Sequence, residues 1–321
     1  MRVLITGITG FAGSHLVDFL MKEHPEVEIF GIRRWRSRTD TISHFQYDDR
    51  VKIVECEMRD LTSVFSVIQQ VRPDRIFHLA AQSFVPTSWT SPADSLNTNI
   101  ISQLNLFEAV RSVGIDPWIQ IACSSEEYGM VYENEVPIKE TNPLRPLSPY
   151  AVSKVAQDYM GYQYNMSYGM KIIRTRGFNH TGPRRGDVFV CSNFAKQIVE
   201  IEKKKRPPVV KVGNLQAKRD FTDVRDMVRG YWMALDGNCT PGDVYNLASG
   251  TTITIQSLLD RYLSMSDAKI TVEVDPTRLR PSDVEILWGD YSKFHAATGW
   301  KPEIPLEKTM HDILEYWRER I

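Results

Sequence analysis

Residues 2–22, RVLITGITGFAGSHLVDFLMK, place a short apolar run, a glycine-rich loop and an amphipathic segment in immediate succession. The run Arg2–Ile5 predicts a buried strand, and Ser14–Lys22 has apolar residues at helical spacing. Glycines between a strand and a helix permit a tight turn and let the backbone approach a pyrophosphate, which the helix N-terminus then binds through its N–H groups. The stretch therefore predicts a dinucleotide site that includes Gly7, Thr9, Gly10, Phe11, Ala12 and Gly13.

Short apolar runs alternate with amphipathic stretches through the first half of the chain. Further strands are predicted at Glu28–Ile32, Val51–Val54, Arg75–Leu79, Trp118–Ala122 and Lys171–Arg174, and helices at 61–71, 104–110 and 151–164. This alternation indicates right-handed βαβ units and a parallel sheet that is covered on both faces.

We therefore predict an α/β protein in two parts. Residues 1–175 form a Rossmann-type doubly wound parallel sheet that binds the dinucleotide, and later segments near 211–248 return to it. Residues 176–321 form mainly a smaller, mixed α/β C-terminal domain for the substrate, which ends in an amphipathic helix from about Leu306 to Arg320.

The composition is typical of an ordinary globular protein, with 42% hydrophobic and 25% charged residues. The 39 basic and 40 acidic residues give a formal charge of −1, without the basic excess that nucleic-acid-binding proteins usually have. No apolar run approaches the ~20 residues of a membrane span, and the immediate first strand leads us to expect no signal peptide. The scattered cysteines Cys56, Cys123, Cys191 and Cys239 lack the spacing of metal sites or disulfide frameworks. We expect a cytoplasmic enzyme without a metal, nucleic-acid or membrane partner.

The second predicted strand is followed by the basic segment Arg33-Arg34-Trp35-Arg36-Ser37-Arg38. An NAD site normally has an Asp or Glu at this point, which binds the ribose hydroxyls. Guanidinium groups instead match a 2′-phosphate in charge and geometry. The sequence therefore favours NADP, with NAD as the alternative, and makes Arg33, Arg34 and Arg36 candidate phosphate contacts. A solvated loop is the other interpretation of this segment.

The segment Tyr150-Ala151-Val152-Ser153-Lys154 contains a Tyr-x-x-x-Lys motif at a predicted helix start. Side chains four residues apart lie on one helical face. A phenol has a pKa of about 10 and is a poor base at neutral pH, but a neighbouring ammonium lowers that pKa and favours proton abstraction from a hydroxyl. Ser124, at the carboxyl end of a strand, is placed to hydrogen-bond the reacting oxygen, and Asn99 is predicted to support Lys154 through the helix backbone.

Together these motifs resemble the extended short-chain dehydrogenase/reductase family. The resemblance covers the whole chain and includes His78–Ala81, Phe178–His180, Arg219–Phe221 and Arg280-Pro281. It implies a nicotinamide dinucleotide, a nucleotide-diphosphate sugar as substrate and a homodimer or homotetramer. The further cofactor contacts it implies are Glu57, Met58, Leu79, Ala80, Ala81 and Asn99, with Glu57 replacing the usual Asp near the adenine. The substrate contacts it implies are Ser83, Ser125, Asn179, Val190, Arg219 and Arg280.

Within that family, residues 33–38, 178–186 and 279–284 are similar to the GDP-mannose 4,6-dehydratases. In dehydratases a glutamate handles the C5 proton and the departing C6 oxygen, and the run Ser124-Ser125-Glu126 retains it. The resemblance thus implies a GDP-linked sugar and a catalytic set of Ser124, Glu126, Tyr150 and Lys154.

Residues 124–130, 194–198 and 219–226 are also very similar to the GDP-6-deoxy-4-keto-mannose reductases. Those enzymes form GDP-rhamnose with the same Tyr and Lys and retain the glutamate, and the chain is shorter than many dehydratases. The expected activity is dehydration of GDP-mannose, with 4-keto reduction as the main alternative and another sugar-nucleotide 4-epimerase or dehydratase after it. A non-catalytic NADP-binding protein is disfavoured because Tyr150 and Lys154 are both present.

Overall fold

Parallel strands from both halves of the chain form the central sheet. The computed structural model describes residues 1–45, 47–279 and 284–321. The strands, in chain order, are β1 (Arg2–Thr6), β2 (Glu28–Arg33), β3 (Val51–Glu55), β4 (Arg75–His78), β5 (Trp118–Ser124), β6 (Ile172–Gly177), β7 (Asn179–Thr181), β8 (Val209–Val212), β9 (Lys218–Arg219), β10 (Phe221–Asp223), β11 (Val244–Leu247), β12 (Ile253–Thr254), β13 (Thr271–Val274) and β14 (Ile286–Leu287). Among the described residues, seven strands form one parallel sheet in the order β11-β6-β5-β4-β1-β2-β3.

Helices connect the strands and cover both faces of this sheet. They are α1 (Phe11–Glu23), α2 (Leu61–Val71), α3 (Val85–Thr90), α4 (Pro92–Leu96), α5 (Ser102–Val113), α6 (Pro149–Tyr168), α7 (Val190–Glu202), α8 (Val224–Asp236), α9 (Ile255–Ser264), α10 (Ser292–Thr298) and α11 (Leu306–Arg318). Helices α1 and α8 pack together over a core that contains Leu16 and Trp232, whereas α2 and α5 pack together over a separate core that contains Val64 and Phe107. The predicted Rossmann-type sheet is confirmed, and its order contains the 3-2-1-4-5-6 arrangement of dinucleotide-binding folds.

The second half of the chain builds smaller sheets beside the central one. Strand β7 pairs with β10, β8 pairs with β13, and β9 pairs with both β12 and β14. Helices α7, α9 and α11 enclose a further apolar core that includes Ile198, Leu258 and Ile313. Within the predicted returning segment, β11 joins the central sheet next to β6, while β8 lies outside it. The division at residue 175 remains a prediction.

Several predicted boundaries differ from the observed ones for local reasons. The helix predicted from Ser14 begins at Phe11, because Gly10 is its N-cap. The strand predicted at Lys171–Arg174 is Ile172–Gly177, so the prediction ended it too early. Its last residues are polar but buried, since the guanidinium groups of Arg174 and Arg176 pair with Asp158 inside the protein.

Helix length and apolarity also bear on membrane insertion. In the described ranges, none of the helices combines enough residues with enough hydrophobicity to cross a bilayer.

Two buried histidines hold parts of the fold together. His15 Nε2 lies 2.8 Å from the carbonyl oxygen of Pro183, and His78 Nδ1 lies 2.9 Å from Thr6 Oγ1. Burial, with a smaller effect of Arg184, lowers the pKa of His15 to about 4. Burial, with a smaller effect of Lys154, lowers the pKa of His78 to about 3. Both imidazoles are therefore neutral in the folded protein at physiological pH.

We expect the free energy of unfolding to fall as the pH falls below about 6.5, because the unfolded chain then binds protons at these histidines while the folded chain does not. Each histidine contributes a slope of up to about 1.4 kcal/mol per pH unit until the pH approaches its folded-state pKa. Urea unfolding across this pH range measures the slope. His15→Gln should reduce it, whereas His311→Gln, at a 63% exposed side chain, should not. Equal slopes for His15→Gln and the parent protein would contradict the assignment.

Candidate active site

A cavity of about 900 Å³ opens at the carboxyl ends of β1, β4, β5 and β6. Parallel strands bring their carboxyl ends to one edge, which is where open α/β sheets bind ligands. Of the predicted residues, those that line this cavity are Gly7, Gly10, Phe11, Ala12, Gly13, Leu79, Ala81, Ser83, Ser124, Ser125, Glu126, Tyr150, Lys154, Asn179, Val190 and Arg219. The structure therefore collects the predicted catalytic set and most of the predicted ligand contacts around one space.

The glycine loop forms the floor of the cavity at the start of α1. Gly7 has a φ of 75°, in the left-handed region, and its carbonyl oxygen accepts a hydrogen bond from Gly10 N at 2.9 Å. A Cβ on Gly13 would lie 2.3 Å from Gly7 O, so only glycine fits there. Gly10 provides no side-chain cap, and the first-turn N–H groups of α1 border the cavity for a ligand phosphate.

The basic segment lies away from this cavity, at the carboxyl ends of β2 and β3. Arg33 ends β2, and the Arg34 guanidinium acts on the Glu57 carboxyl across the strand ends. Burial opposes ionisation of Glu57, but hydrogen bonds from Arg59 and the charges of Arg59 and Arg34 lower the pKa of this carboxyl below its usual value. Glu57 also borders a second cavity of about 410 Å³. The predicted contacts Thr9, Arg33, Arg34, Arg36, Met58, Ala80 and Asn99 do not line the main cavity among the described residues.

Helix α6 presents the Tyr-x-x-x-Lys pair to the cavity. Its N-cap is Ser148, whose Oγ accepts a hydrogen bond from Ala151 N at 3.1 Å, so the helix begins directly before Tyr150. Lys154 Nζ donates to the carbonyl oxygen of Ala122 at 2.7 Å and lies 5.9 Å from the centre of the Tyr150 ring. Tyr150 and Ser124 both line the cavity, and the Ser124 side chain is near enough to the phenol to lower its pKa.

Burial is the largest influence on the phenol of Tyr150. It raises the pKa of this group, and Ser124 and the Arg185 charge oppose that rise. The effect predicted for Lys154 stays a prediction. Burial lowers the pKa of Lys154, and its ammonium group donates a hydrogen bond to the backbone carbonyl of Ala122. Burial therefore favours the protonated form of Tyr150.

Asn99 is hydrogen-bonded to α6, the helix that bears Lys154. Its Nδ2 donates to Ser153 Oγ at 2.8 Å, and Ser153 Oγ donates to the carbonyl oxygen of Tyr150 at 2.6 Å. The amide therefore connects to the helix backbone at Tyr150 through Ser153, and not directly to Lys154.

Five of the six predicted substrate contacts line the cavity: Ser83, Ser125, Asn179, Val190 and Arg219. Asn179 Nδ2 is buried and finds no hydrogen-bond acceptor among the described residues, which marks it as a group for a ligand. Arg219 is buried and donates to the carbonyl oxygen of Lys218 at 2.9 Å. Arg280 lies outside the described residues.

Sequence reasoning missed Arg185, a cation inside the cavity. Its guanidinium stacks between two aromatic rings, 4.7 Å from the centre of Phe11 and 3.5 Å from the centre of Phe189. Burial lowers its pKa to about 10, with the neighbouring Tyr150 partly opposing that effect. The Arg184-Arg185-Gly186 run was the available signal, but the sequence did not show that Phe11 and Phe189 both contact the Arg185 guanidinium.

Gly13→Ala should destabilise the protein by about 3 kcal/mol, because the new methyl group meets the Gly7 carbonyl, which belongs to the backbone and has no rotamer to change. Urea unfolding at pH 7.5 measures the loss. Gly186→Ala is the matched control, since its Cβ would have no neighbour closer than 3.8 Å. A Gly13→Ala protein as stable as the control would contradict the proposed close approach.

Comparisons of this chain with a family model and with individual proteins point to the same family. The family model described as GDP-mannose 4,6 dehydratase matches residues 4–313. GDP-6-deoxy-D-mannose reductase of Pseudomonas aeruginosa is 30% identical over 100% of this chain and 98% of its own length. GDP-mannose 4,6-dehydratase of Vibrio cholerae is 31% identical over 98% of this chain and 92% of its own length.

A solved structure agrees in fold. The structure of RMD from Pseudomonas aeruginosa complexed with NADPH superposes with a TM-score of 0.86 at 29% identity, covering 100% of this chain and 99% of that one. The resemblance to the extended short-chain dehydrogenase/reductases is thereby confirmed. With a model match that spans nearly the whole chain, this protein belongs to the GDP-mannose 4,6-dehydratase family, an enzyme family that acts on nucleotide sugars.

Proposed function

We propose that this protein is an NADP-dependent GDP-mannose 4,6-dehydratase that forms GDP-4-keto-6-deoxy-mannose. The observation that carries the proposal is the position of Glu126, which lines the same cavity as Ser124, Tyr150 and Lys154. A carboxylate beside a Ser–Tyr–Lys set adds a second proton-handling group, which elimination requires and simple oxidation at C4 does not.

The residues present fit a nicotinamide dinucleotide. A Cβ added at Gly7, Gly10 or Gly13 would lie 3.0 Å or less from neighbouring backbone atoms, so the loop suits glycine. The N-terminus of α1 offers N–H groups to a pyrophosphate. Arg33, Arg34 and Arg36 would hold the 2′-phosphate, with Glu57 at the adenine end. When bound, the dinucleotide supplies reversible hydride transfer, first from C4 of the sugar and then to C6.

The protein's own residues would handle the protons. Tyr150 accepts the proton of the C4 hydroxyl once the ligands have lowered its pKa, and Ser124 holds the reacting oxygen. Lys154 stabilises the charge that develops on Tyr150. Glu126 then removes the C5 proton, which the adjacent ketone has made acidic, and protonates the departing C6 hydroxyl so that it leaves as water. When hydride returns to C6, the proton that Tyr150 accepted passes to C5, so that both residues end in their starting states.

Residues from the second half of the chain would bind the nucleotide diphosphate. Arg219 and Arg280 would bind its phosphates, since guanidinium groups pair well with phosphate oxygens. The buried Asn179 Nδ2, with Ser83, Ser125 and Val190, would contact the sugar.

The exposed side chains of Tyr159 and Tyr162 on α6 support the proposal of a homodimer or homotetramer.

A 4-keto reductase is the second candidate. The Pseudomonas aeruginosa reductase aligns over 98% of its own length, whereas the Vibrio cholerae dehydratase extends further beyond the match. This candidate uses Tyr150, Lys154 and Ser124 in the opposite direction, with Tyr150 donating a proton to the C4 oxygen, and it needs no base at C5.

The first test separates the two reactions. Purified protein with GDP-mannose and catalytic NADP should produce a 4-keto-6-deoxy sugar, detected by mass spectrometry of the released nucleotide sugar. Glu126→Gln should reduce this dehydration by about 100-fold or more, the usual contribution of a positioned base, while ketone reduction is retained. Glu133→Gln, at an exposed site, is the control. Rapid NADPH oxidation by the keto sugar, without turnover of GDP-mannose, would replace this proposal with the reductase.

Arg34→Ala should raise the KM for NADP by about tenfold and leave the KM for NAD nearly unchanged, because it removes a charge-assisted contact to the 2′-phosphate. Steady-state kinetics with each dinucleotide measure the two values. Arg38→Ala, whose side chain is exposed and pairs with Asp40, is the matched control. A parallel rise of both KM values in Arg34→Ala would show that Arg34 does not distinguish the dinucleotides.

A further inference from the structure

A second acidic residue, Glu127, lies directly behind the candidate active site. It is fully buried and closes the 3-10 turn Ser125–Glu127, which carries Glu126. Its Oε1 accepts a hydrogen bond from Ser124 N at 2.8 Å, while Ser124 Oγ accepts one from Glu126 N at 3.2 Å. One buried carboxyl group therefore fixes the backbone of Ser124 and the start of the turn that bears the proposed base.

The other oxygen of Glu127 has no N–H donor of its own. Glu127 Oε2 lies 3.3 Å from Arg176 Nε, but that N–H donates to Asp158 Oδ2 at 2.7 Å. Among the described residues, Oε2 is buried without a conventional hydrogen-bond partner, although carboxyl oxygens of Glu127 and Asp158 lie within 4.8 Å of each other. If Oε2 carried a proton, Glu127 would donate a hydrogen bond to Asp158, and every oxygen of the two carboxyl groups would then have a partner. Two ionised carboxylates would instead repel each other.

Asp158 is the member of the pair that keeps its charge. Arg174 and Arg176 both donate to it from β6, and Arg174 is further held by the carbonyl oxygen of Gly242 at 2.8 Å. Cys123, Glu127 and Asp158 have ligand-type atoms within 4.8 Å of one another, but the two guanidinium groups already supply the positive charge that a metal ion would bring. This arrangement therefore favours a proton between the two carboxyl groups over a metal ion.

We propose that Glu127 is a neutral carboxylic acid that shares one proton with Asp158 and positions Ser124 and Glu126 from behind the active site. Its role is positioning, because it touches the turn and not the cavity. The proton sharing stands independently of the reaction, whereas the kinetic consequence rests on the proposed function.

Neutrality matters because charged and titratable groups surround this carboxyl. Burial and then Asp158 raise the pKa of Glu127 well above its usual value, and Arg176 opposes them. An ionised Glu127 would add to the rise that burial and Glu126 cause in the pKa of Tyr150. The groups that face the cluster or Tyr150 are Cys123, Ser124, Glu126 and Tyr128 around β5, Glu140 after it, Lys154 and Asp158 on α6, Arg174 and Arg176 on β6, Arg185 before α7 and Tyr231 on α8. A neutral acid can fix the turn without a negative charge that opposes ionisation of Tyr150.

The first experiment needs no substrate. Infrared difference spectra between the full-length protein and Glu127→Gln at neutral pH should show loss of the carbonyl stretch of a protonated carboxyl group, and that band should shift in protein labelled with carbon-13 glutamate. A difference confined to carboxylate bands would overturn the proposal. The labelling alone decides the point if Glu127→Gln does not fold, because an unshifted protonated-carboxyl band would equally overturn it.

The second experiment uses whichever reaction the protein catalyses. Glu127→Gln keeps a neutral acceptor for Ser124 N, so kcat should stay within about threefold of the parent and its pH profile should be unchanged. Glu127→Leu offers no acceptor, and kcat should fall about tenfold or more while NADPH binding, followed by fluorescence, is retained. Glu133→Gln serves as the exposed control.

The outcomes separate this inference from the proposed function. Folded Glu127→Gln protein that is as inactive as Glu127→Leu would overturn the inference, because the charge would then be required. A parent protein without turnover on any GDP-sugar would remove the proposed function, yet the infrared result would still decide the protonation state of Glu127.

Discussion

The contact of Gly13 with the carbonyl of Gly7 is the constraint on which the site depends. It fixes the first turn of α1 against the end of β1, at the edge where β4, β5 and β6 also end. One residue that lines the cavity lies at the end of each of these strands: Leu79 follows β4, Ser124 ends β5 and Asn179 follows β6. A side chain at position 13 would push the helix away from the strand and change the shape of the cavity for every one of them.

The interior beneath the site is polar, and its buried charged side chains form ion pairs. Arg174 and Arg176 lie in a central strand where an apolar pattern is usual, and Asp158 on α6 accepts hydrogen bonds from both. The same helix carries Tyr150 and Lys154 nearer its start. Buried ion pairs of this kind add little net stability, but removing one partner is costly because it leaves an uncompensated charge. The network therefore favours one orientation of α6, and with it one position of the Tyr–Lys pair.

The sequence predicted those features that are local in the chain. The glycine loop, the Tyr150–Lys154 pair and the strand–helix alternation each depend on spacing within one or two elements, and the structure contains them all. The pKa of Tyr150 depends on how deeply the phenol is buried, and the available contacts of Lys154 depend on its hydrogen bond to the carbonyl of Ala122. Sequence spacing contains neither quantity.

Arg185 shows how the two sides of the cavity are joined. Phe11 belongs to the glycine loop and Phe189 to the segment before α7, and both rings hold the same guanidinium. Phe84, from the loop after β4, packs edge-on against Phe189. A substitution at any of these aromatic residues would therefore disturb the start of α1 and the segment before α7 at once. In this protein, a defect at one end of the cavity does not by itself locate the altered residue at that end.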